Sequence, residues 1–291
     1  MRLQIGIIGG DNRQGRLAQL LETDGHEVRV FGAPLPEGSQ FREAQSLEET
    51  VNGAQCVVLP IPAVRDCTTI NIPSVQRPYT AEQLFSILKT GQIVVGGKIP
   101  EAMFESAHRN AIDVVDYAER EDFSVRNAVP SAEGALQLAM ENTQHTIHGS
   151  RCLVIGYGRI GNVLARMLRA LGAHVTVAAR RYSDFSWIKV EGYQMAHTMK
   201  LSGRLSDLNI IFNTVPRLVL GEAEIAQLPK GCLLIDLASF PGGIDYDAAQ
   251  KQGVPCLWAL GLPGKVAPVS ASLILKDCIY NILEERGCLY E

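Results

Sequence analysis

A glycine-rich segment in the middle of the chain has the spacing needed to hold a dinucleotide. It follows the apolar run 152–155 and precedes a stretch of helical periodicity, the context that this motif requires. Gly156 permits the tight turn, Gly158 lets a pyrophosphate approach the backbone, and Gly161 allows the helix to pack closely on the strand. Free N–H groups at the helix start would then hold the phosphates; a glycine turn without a ligand is the alternative. The cofactor contacts predicted here are Gly156, Tyr157, Gly158, Arg159, Ile160 and Gly161.

The next predicted strand, at 175–179, ends in two arginines, Arg180 and Arg181. An NAD-binding domain would place a carboxylate near this point to bind the ribose 2′-hydroxyl. An arginine can instead pair with a 2′-phosphate, in a charge-assisted bond worth roughly 1.5–3 kcal/mol. We therefore expect NADP to bind roughly 10- to 100-fold more tightly than NAD; a solvated surface arginine is the alternative.

Three later strand ends are rich in residues that form loops. They lie at 213–216, 236–243 and 259–264, and ligands of open α/β sheets bind beyond the carboxyl ends of the strands. These segments could bring backbone close to the cofactor, although tight turns alone would look the same and Asp236 could be a simple cap. The contacts predicted in these segments are Thr214, Val215, Pro216, Leu237, Ala238, Ser239, Gly261 and Pro263.

The start of the chain repeats this pattern at an offset of 147 residues, without the phosphate signature. Asp11 stands in the place of Gly158, and Gln14 in the place of Gly161. A carboxylate there repels a pyrophosphate and a side chain at 14 opposes close packing, so we predict no dinucleotide in the first copy. Together with Arg13, these groups suit a small carboxylate-bearing ligand; capping of the helix by Asp11 is the alternative.

Two polar clusters between the copies, and one histidine, supply the remaining candidates. Arg120 could clamp a substrate carboxylate with two hydrogen bonds, although its segment could equally be a solvated charge run. Ser131 is predicted to cap a helix over 131–142 that carries Glu133 in its first turn, and His148, catalytic or structural, could lie at a domain boundary. The catalytic candidates are Glu133, Glu121 and His148, and the substrate-binding candidates are Asp11, Arg13, Gln14, Arg120 and Ser131. No spacing typical of metal ligands occurs.

The elements that must position these residues indicate an α/β fold with two open, mostly parallel twisted-sheet domains. Each copy reads strand, glycine turn, amphipathic helix and strand, which is a βαβ unit. Residues 1–130, joined by a returning C-terminal helix at about 270–291, would form a degenerate Rossmann-like substrate domain. Residues 131–269 would form a bridging helix and the Rossmann NADP-binding domain, with the substrate in an interdomain cleft.

Composition removes several other classes of protein. The chain has 291 residues, 46% of them hydrophobic and 20% charged, so disorder is excluded. The net charge of −4 argues against nucleic acid as a main partner, and no apolar run approaches the roughly 20 residues of a membrane span. The seven scattered cysteines favour reduced thiols over disulfides or zinc.

Several of these strings, in this order, resemble the A-subunit family of dipicolinate synthases from endospore-forming bacteria, over nearly the whole chain. Asp-Leu-Ala-Ser-Phe-Pro-Gly-Gly at 236–243 and Gly-Leu-Pro-Gly-Lys-Val-Ala-Pro at 261–268 carry most of the specificity. The supporting strings lie at 8–14, 119–122, 130–134, 146–150, 156–161 and 213–216. The architecture is more distantly similar to alanine dehydrogenase and the formate/glycerate dehydrogenases.

The resemblance implies NADP-linked oxidation of dihydrodipicolinate to dipicolinate, on a branch of the lysine pathway during sporulation. It further implies a partner, the flavoprotein-like B-subunit of dipicolinate synthase, and a place in the cytoplasm of the mother cell; a homodimer is compatible with it. A dianionic substrate would need local arginines, and Arg13 and Arg120 are the candidates. The alternatives are another NADP dehydrogenase of small carboxylates, and a non-catalytic NADP-binding protein that positions or regulates its partner.

Overall fold

The computed structural model describes residues 2–39 and 43–289. The chain divides into two compact units, one made of Met1–Asn127 with Ala267–Glu291 and the other of Ala128–Val266. Each unit holds a parallel sheet with helices packed on both faces, so the predicted α/β fold class is confirmed.

The first unit alternates strands and helices along the chain. Its elements are β1 (Gln4–Ile8), α1 (Asn12–Thr23), β2 (Glu27–Phe31), α2 (Leu47–Val51), β3 (Cys56–Val58), α3 (Ala81–Ile87), β4 (Ile93–Gly96), α4 (Glu101–Arg109), β5 (Asp113–Asp116) and the start of α5 (Glu121–Asn142). The strands lie in the order β2-β1-β3-β4-β5. This is the doubly wound order 2-1-3-4-5, whose ligand crevice lies at the carboxyl ends of β1 and β3.

The second unit has the longer sheet. Its further elements are β6 (Arg151–Ile155), α6 (Arg159–Ala170), β7 (His174–Ala179), α7 (Tyr182–Val190), β8 (Gln194–His197), β9 (Ile210–Asn213), α8 (Glu222–Ile225), β10 (Leu233–Asp236), α9 (Tyr246–Gln252), β11 (Cys256–Trp258) and α10 (Leu262–Val266). The parallel order β8-β7-β6-β9-β10-β11 is the Rossmann order 3-2-1-4-5-6. The Rossmann prediction is therefore confirmed.

Helix α5 corrects one prediction. It runs without interruption from Glu121 to Asn142 and contains Pro130, so the predicted start at Ser131 is wrong. Ser131 lies inside the helix, 7% exposed, and does not cap it. A proline usually ends a helix because it removes one backbone hydrogen bond. Here Phe123 is buried before the proline and Ala132 after it. The burial of both side chains stabilises the helix on either side of Pro130.

Helix α11 (Pro268–Glu285) returns to the first unit and packs along α1. Its apolar side chains, among them Leu275 and Ile279, join the same core as Leu17 and Leu21 of α1. This core covers one face of the first sheet, and α2, α3 and α4 cover the other. The first unit is therefore completed by residues from the far end of the chain.

A hydrogen-bond chain that is buried at His26 and exposed at Asp24 holds α11 to the amino end of β2. The N–H of Leu3 donates to Nδ1 of His26 over 3.2 Å, so Nε2 carries the ring proton and donates to the Tyr280 hydroxyl over 3.0 Å. That hydroxyl donates to Asp24, which also pairs with Lys276 at 2.6 Å. The bond from Leu3 requires a neutral His26, because a protonated Nδ1 could not accept it.

This chain of bonds predicts a loss of stability on mild acidification. Burial lowers the pKa of His26 below its usual value of about 6.5, so the unfolded chain takes up a proton at a pH where the folded one does not. The free energy of unfolding should therefore fall as the pH drops from 7.5 to 5.5, by at most about 1.4 kcal/mol per pH unit for one proton. Urea unfolding at both pH values measures it. His26→Gln should remove most of the dependence, whereas His108→Gln, at an exposed position on α4, should leave it unchanged; equal slopes in the two variants would contradict the assignment.

Candidate functional site

The turn from β6 to α6 leaves the start of α6 open. Gly158 is the N-cap residue, makes no side-chain capping bond, and has free space where a Cβ would be. Gly156 adopts φ +97°, which a residue with a side chain rarely does, and a Cβ at Gly161 would overlap the carbonyl oxygen of Gly156. The positive φ of Gly156 and the close approach at Gly161 are those that the motif predicts, and the uncapped helix start at Gly158 leaves space in which a pyrophosphate would fit.

The equivalent position in the first unit is closed by its own side chains. The Asp11 carboxylate accepts the N–H of Arg13 at 3.0 Å, and Gln14 Oε1 accepts the N–H of Asp11 at 3.0 Å. This capping box bears out the capping alternative for Asp11. The backbone N–H groups at the start of α1 are therefore satisfied by side chains, in contrast to those at the start of α6.

Asp11 and Arg13 also form a bidentate ion pair at the carboxyl end of β1. Arg13 Nε donates to Asp11 Oδ1 over 2.9 Å and Nη2 to Oδ2 over 2.7 Å, and a longer bond of 3.4 Å reaches the Ile61 carbonyl beyond β3. Arg13 is only 5% exposed. Burial alone would raise the pKa of Asp11, but the bonds and charge of Arg13 outweigh it and leave the pKa below its usual value. The pair therefore stays ionised, beside a crevice at β1 and β3.

Gln14 is fully buried behind this pair. Its Nε2 has no hydrogen-bond partner, and its side chain fills the space that a Cβ on Gly10 would need. A buried amide of this kind supports the helix start rather than reaching a ligand.

The two arginines after β7 lie at the position predicted for them. Arg180 and Arg181 are exposed, and Arg181 is the N-cap residue of α7 without a side-chain capping bond. They follow the same edge of the sheet as the turn at Gly156, because β6 and β7 are neighbouring parallel strands. The carboxyl edge of the second sheet therefore carries both the glycine turn and two exposed arginines.

The loops after β9, β10 and β11 meet at this edge as well. Both the N–H and the hydroxyl of Thr214 donate to the Ile155 carbonyl at 2.9 Å, which holds this loop against the glycine turn. The N–H of Leu237 donates to Asn213, and that of Ala259 to Asp236. The three predicted segments are therefore brought together, with Gly261 and Pro263 close to the start of α10.

Tyr157 belongs to the glycine turn, but its side chain points into the second unit. Its ring packs edge-on against Tyr193, with 6.4 Å between centroids, and the buried hydroxyl has no hydrogen-bond partner. The Tyr157 side chain is therefore part of the packing of the second unit.

Arg120 is held by two carboxylates of the first unit. It donates to Asp122 at 3.0 Å and to Glu285 of α11 at 2.7 Å. These bonds, led by the one to Glu285, raise its pKa further. Asp122 in turn accepts from Asn281 at 2.9 Å. The guanidinium anchors α11, so the structure gives no support to Arg120 as a substrate clamp.

The three catalytic candidates lie apart along the chain. Glu121 is exposed in the first turn of α5, and Glu133 is exposed three turns later. The His148 ring lies against Gly172, in the turn that precedes β7. That turn is at the amino edge of the second sheet, opposite the edge where ligands of open α/β sheets bind, so its position favours the structural role.

A buried polar network at the carboxyl edge of the second unit was not predicted from the sequence. It joins Asn213 at the end of β9, Asp236 at the end of β10 and Tyr246 in α9, through side-chain hydrogen bonds of 2.8 Å. The sequence feature that could have indicated this network is that two apolar strands end in an amide, Asn213, and a carboxylate, Asp236. Over residues 2–39 and 43–289, no group of three or more His, Cys, Asp or Glu could hold a metal ion, and no helix is long and apolar enough to cross a membrane.

Comparisons with known proteins agree with this architecture. Residues 4–118 match the family model of the N-terminal domain of the dipicolinate synthase A-subunit, and residues 118–239 match "D-isomer specific 2-hydroxyacid dehydrogenase, NAD binding domain". The dipicolinate synthase A-subunit of Bacillus subtilis (strain 168) is 32% identical over 97% of this chain and 96% of its own length.

Solved structures give the same result. The crystal structure of the dipicolinate synthase A-subunit from Bacillus halodurans has a TM-score of 0.86 at 30% identity, covering 97% of both chains. The structure from Bacillus subtilis has a TM-score of 0.86 at 30% identity, covering 98% of this chain and 97% of its own. These matches support an oxidoreductase role and a nicotinamide cofactor. With a relative of this identity matched from end to end, the chain belongs to the A-subunit family of dipicolinate synthases.

Proposed function

We propose that this chain is the NADP-linked component of a dipicolinate synthase, which oxidises dihydrodipicolinate to dipicolinate together with a flavoprotein-like B-subunit. The observation that carries the proposal is the 32% identity to the A-subunit of Bacillus subtilis over 97% of the chain. The open helix start at Gly158 supports the cofactor part of it.

The reaction balances with one hydride and one proton. Dihydrodipicolinate and NADP⁺ give dipicolinate, NADPH and H⁺, and the gain in ring aromaticity favours the products. When bound, the nicotinamide supplies the hydride acceptor. The protein must orient the substrate ring and accept one proton.

In the second unit, the backbone around Gly156 and Gly158 would hold the pyrophosphate. Arg180 and Arg181 would pair with the 2′-phosphate, because both are exposed cations on the same edge of the sheet. This pairing is the basis of the proposed preference for NADP over NAD.

In the first unit, Arg13 would bind a substrate carboxylate at the crevice between β1 and β3. Asp11 holds the guanidinium in a fixed orientation, which lowers the entropy that binding must remove. Burial alone would lower the pKa of Arg13, but the bond and charge of Asp11 outweigh it and raise the pKa. Arg13 is therefore a permanent cation paired with one carboxylate, whereas Arg120 is paired with two, Asp122 and Glu285, and has no part in the proposal.

Glu133 is the residue that we propose to take the proton. It is an exposed carboxylate on α5, whereas His148 lies at the wrong edge of its sheet. Only weak base catalysis is required if the proton leaves an acidic ring position.

The assay that tests the proposal follows NADPH absorbance with dihydrodipicolinate as substrate, with and without the flavoprotein-like partner. We expect Arg13→Ala to lower kcat/KM about tenfold, as loss of one charge-assisted bond predicts. Arg126→Ala is the matched control, since this half-exposed arginine pairs with Asp277 on the surface of the first unit.

Two outcomes would favour the alternatives. NADPH formation that requires the partner and survives both Arg13→Ala and Glu133→Gln would indicate a non-catalytic NADP-binding protein. Faster turnover of a different small carboxylate by this chain alone would indicate a related dehydrogenase.

A further inference from the structure

Asp236 is a fully buried carboxylate that ties together the loop following β10. Its Oδ1 accepts the N–H of Ala238 at 3.0 Å, and its Oδ2 accepts the N–H of Gly243 at 2.8 Å. The two backbone donors lie at opposite ends of the loop, so one side chain fixes both ends. At 0% exposure, this carboxylate is out of reach of any ligand and acts only through the loop.

Asn213 links this loop to the one that follows β9. Its Nδ2 donates to Asp236 Oδ1 over 2.8 Å and to the Val215 carbonyl over 3.0 Å, and its Oδ1 accepts the N–H of Val215 at 3.1 Å. Asn213 is also 0% exposed. The side chains of Asn213 and Asp236 therefore fix the position of the two loops relative to each other.

The two loops approach each other so closely that only glycine fits between them. A Cβ on Gly243 would overlap Asn213 Nδ2 and the Val215 carbonyl, and it would lie 2.8 Å from the Arg217 carbonyl. The Gly243 carbonyl also accepts the N–H of Val219 at 2.8 Å. Any change in the Asp236 hydrogen bonds must therefore move both loops.

Tyr246 and Trp258 close the network from outside. The Tyr246 hydroxyl donates to Asp236 Oδ2 over 2.8 Å, and Trp258 Nε1 donates to the Ala238 carbonyl over 2.9 Å. The Tyr246 and Trp258 rings stack, with 5.4 Å between centroids. Burial, together with the bond to Asp236, raises the pKa of Tyr246, so its hydroxyl remains a donor at all physiological pH values.

The strand order indicates which half of a dinucleotide these loops serve. A Rossmann sheet consists of two mononucleotide-binding halves. Strands β6, β7 and β8 carry the glycine turn and the two arginines, whereas β9, β10 and β11 form the other half. If the adenosine half of the cofactor lies at Arg180, its nicotinamide half lies against the loops that Asn213 and Asp236 hold.

We propose that Asp236 and Asn213 are positioning residues for the nicotinamide half of the cofactor, acting through the backbone of 214–217 and 237–243. This inference rests on the proposed nicotinamide cofactor. It assigns a separate role to two side chains that touch neither cofactor nor substrate.

The test compares a whole cofactor with its adenosine half. Calorimetry would measure the affinities of NADP and of 2′,5′-ADP, or of NAD and 5′-AMP if the protein prefers NAD. In the wild-type protein, each carboxylate oxygen of Asp236 accepts two hydrogen bonds. The Asp236→Asn variant replaces one of these oxygens with an NH₂ group, which cannot accept the two bonds that ended on it. We expect NADP to bind about tenfold more weakly to this variant, and the half-molecule to bind within twofold of wild type.

Two further variants complete the series. Tyr246→Phe removes one of the four donors and keeps the ring, so the same selective loss should appear at two- to fivefold, even if Asp236→Asn folds poorly. Asp245→Asn is the matched control, because Asp245 only caps α9 by accepting the N–H of Ala248 at 2.9 Å. It should leave both affinities unchanged.

Each outcome bears on the inference in a defined way. Equal losses for the whole cofactor and its half in both Asp236→Asn and Tyr246→Phe would overturn it and indicate a general role in stability. Unchanged affinity for NADP in both variants would overturn it as well. If wild type bound neither NADP nor NAD, the proposed function itself would fail, and this inference with it.

Discussion

Gly158→Asp is expected to abolish dinucleotide binding while leaving the protein folded. The change copies Asp11 of the first unit into the equivalent position of the second. A Cβ at 158 meets nothing within 4 Å, and the backbone there is extended, at φ −80° and ψ −161°. Aspartate is a better N-cap residue than glycine by a few tenths of a kcal/mol. Its charge would face the pyrophosphate, and like charges in contact cost several kcal/mol, so affinity should fall more than 100-fold.

The matched control is Gly158→Asn, which has the same size and capping ability without the charge. Titration of NADP and thermal unfolding should be measured on both variants. We expect the asparagine variant to bind more tightly than the aspartate variant, with similar melting temperatures. Equal affinities would show that bulk rather than charge decides the site, and normal binding by both would place the pyrophosphate elsewhere.

Arg180→Asp should weaken the binding of NADPH roughly 10- to 100-fold and the binding of NADH much less, because only NADPH carries the 2′-phosphate. The introduced carboxylate also stands where NAD-binding domains use one to bind the ribose 2′-hydroxyl, so the preference between the two cofactors should narrow or invert. Direct titration of both reduced cofactors measures this effect.

Lys230→Asp is the control for the change in charge. Lys230 is exposed and precedes β10, at the amino edge of the second sheet, so reversing its charge should affect both cofactors equally and weakly. If Arg180→Asp weakened NADPH and NADH by the same factor, the 2′-phosphate assignment would be contradicted.

Local sequence patterns were sufficient for the elements that carry the cofactor turn. Strands β9 and β10 end at Asn213 and Asp236, where the loop-forming segments 213–216 and 236–243 were predicted to begin. The capping of α1 by Asp11, the alternative offered for that residue, is also present. These features depend on neighbours within a few residues, which is why periodicity and cap chemistry reveal them.

Other features depend on contacts that no local pattern contains. Strand β8 has a polar sequence, Gln-Met-Ala-His, and lies at the edge of its sheet, so it shows no apolar run. The first turns of α5 were missed because Pro130 mimics a helix start, while burial of Phe123 sustains the helix before it. The bond from Arg120 to Glu285 joins residues 165 positions apart, and periodicity cannot reveal such a pairing.

The return of α11 to the first unit sets the order in which the chain can mature during synthesis. Domains tend to fold as they emerge, from the N-terminus onwards. Here the second unit, Ala128–Val266, is contiguous, whereas the first lacks its last helix until Pro268–Glu285 has been made. Until then, Leu17 and Leu21 of α1 lack the side chains that cover them. The half of the chain that is translated first is therefore the half that finishes folding last, and a ribosome that stops before α11 releases a complete cofactor unit beside an unfinished first unit.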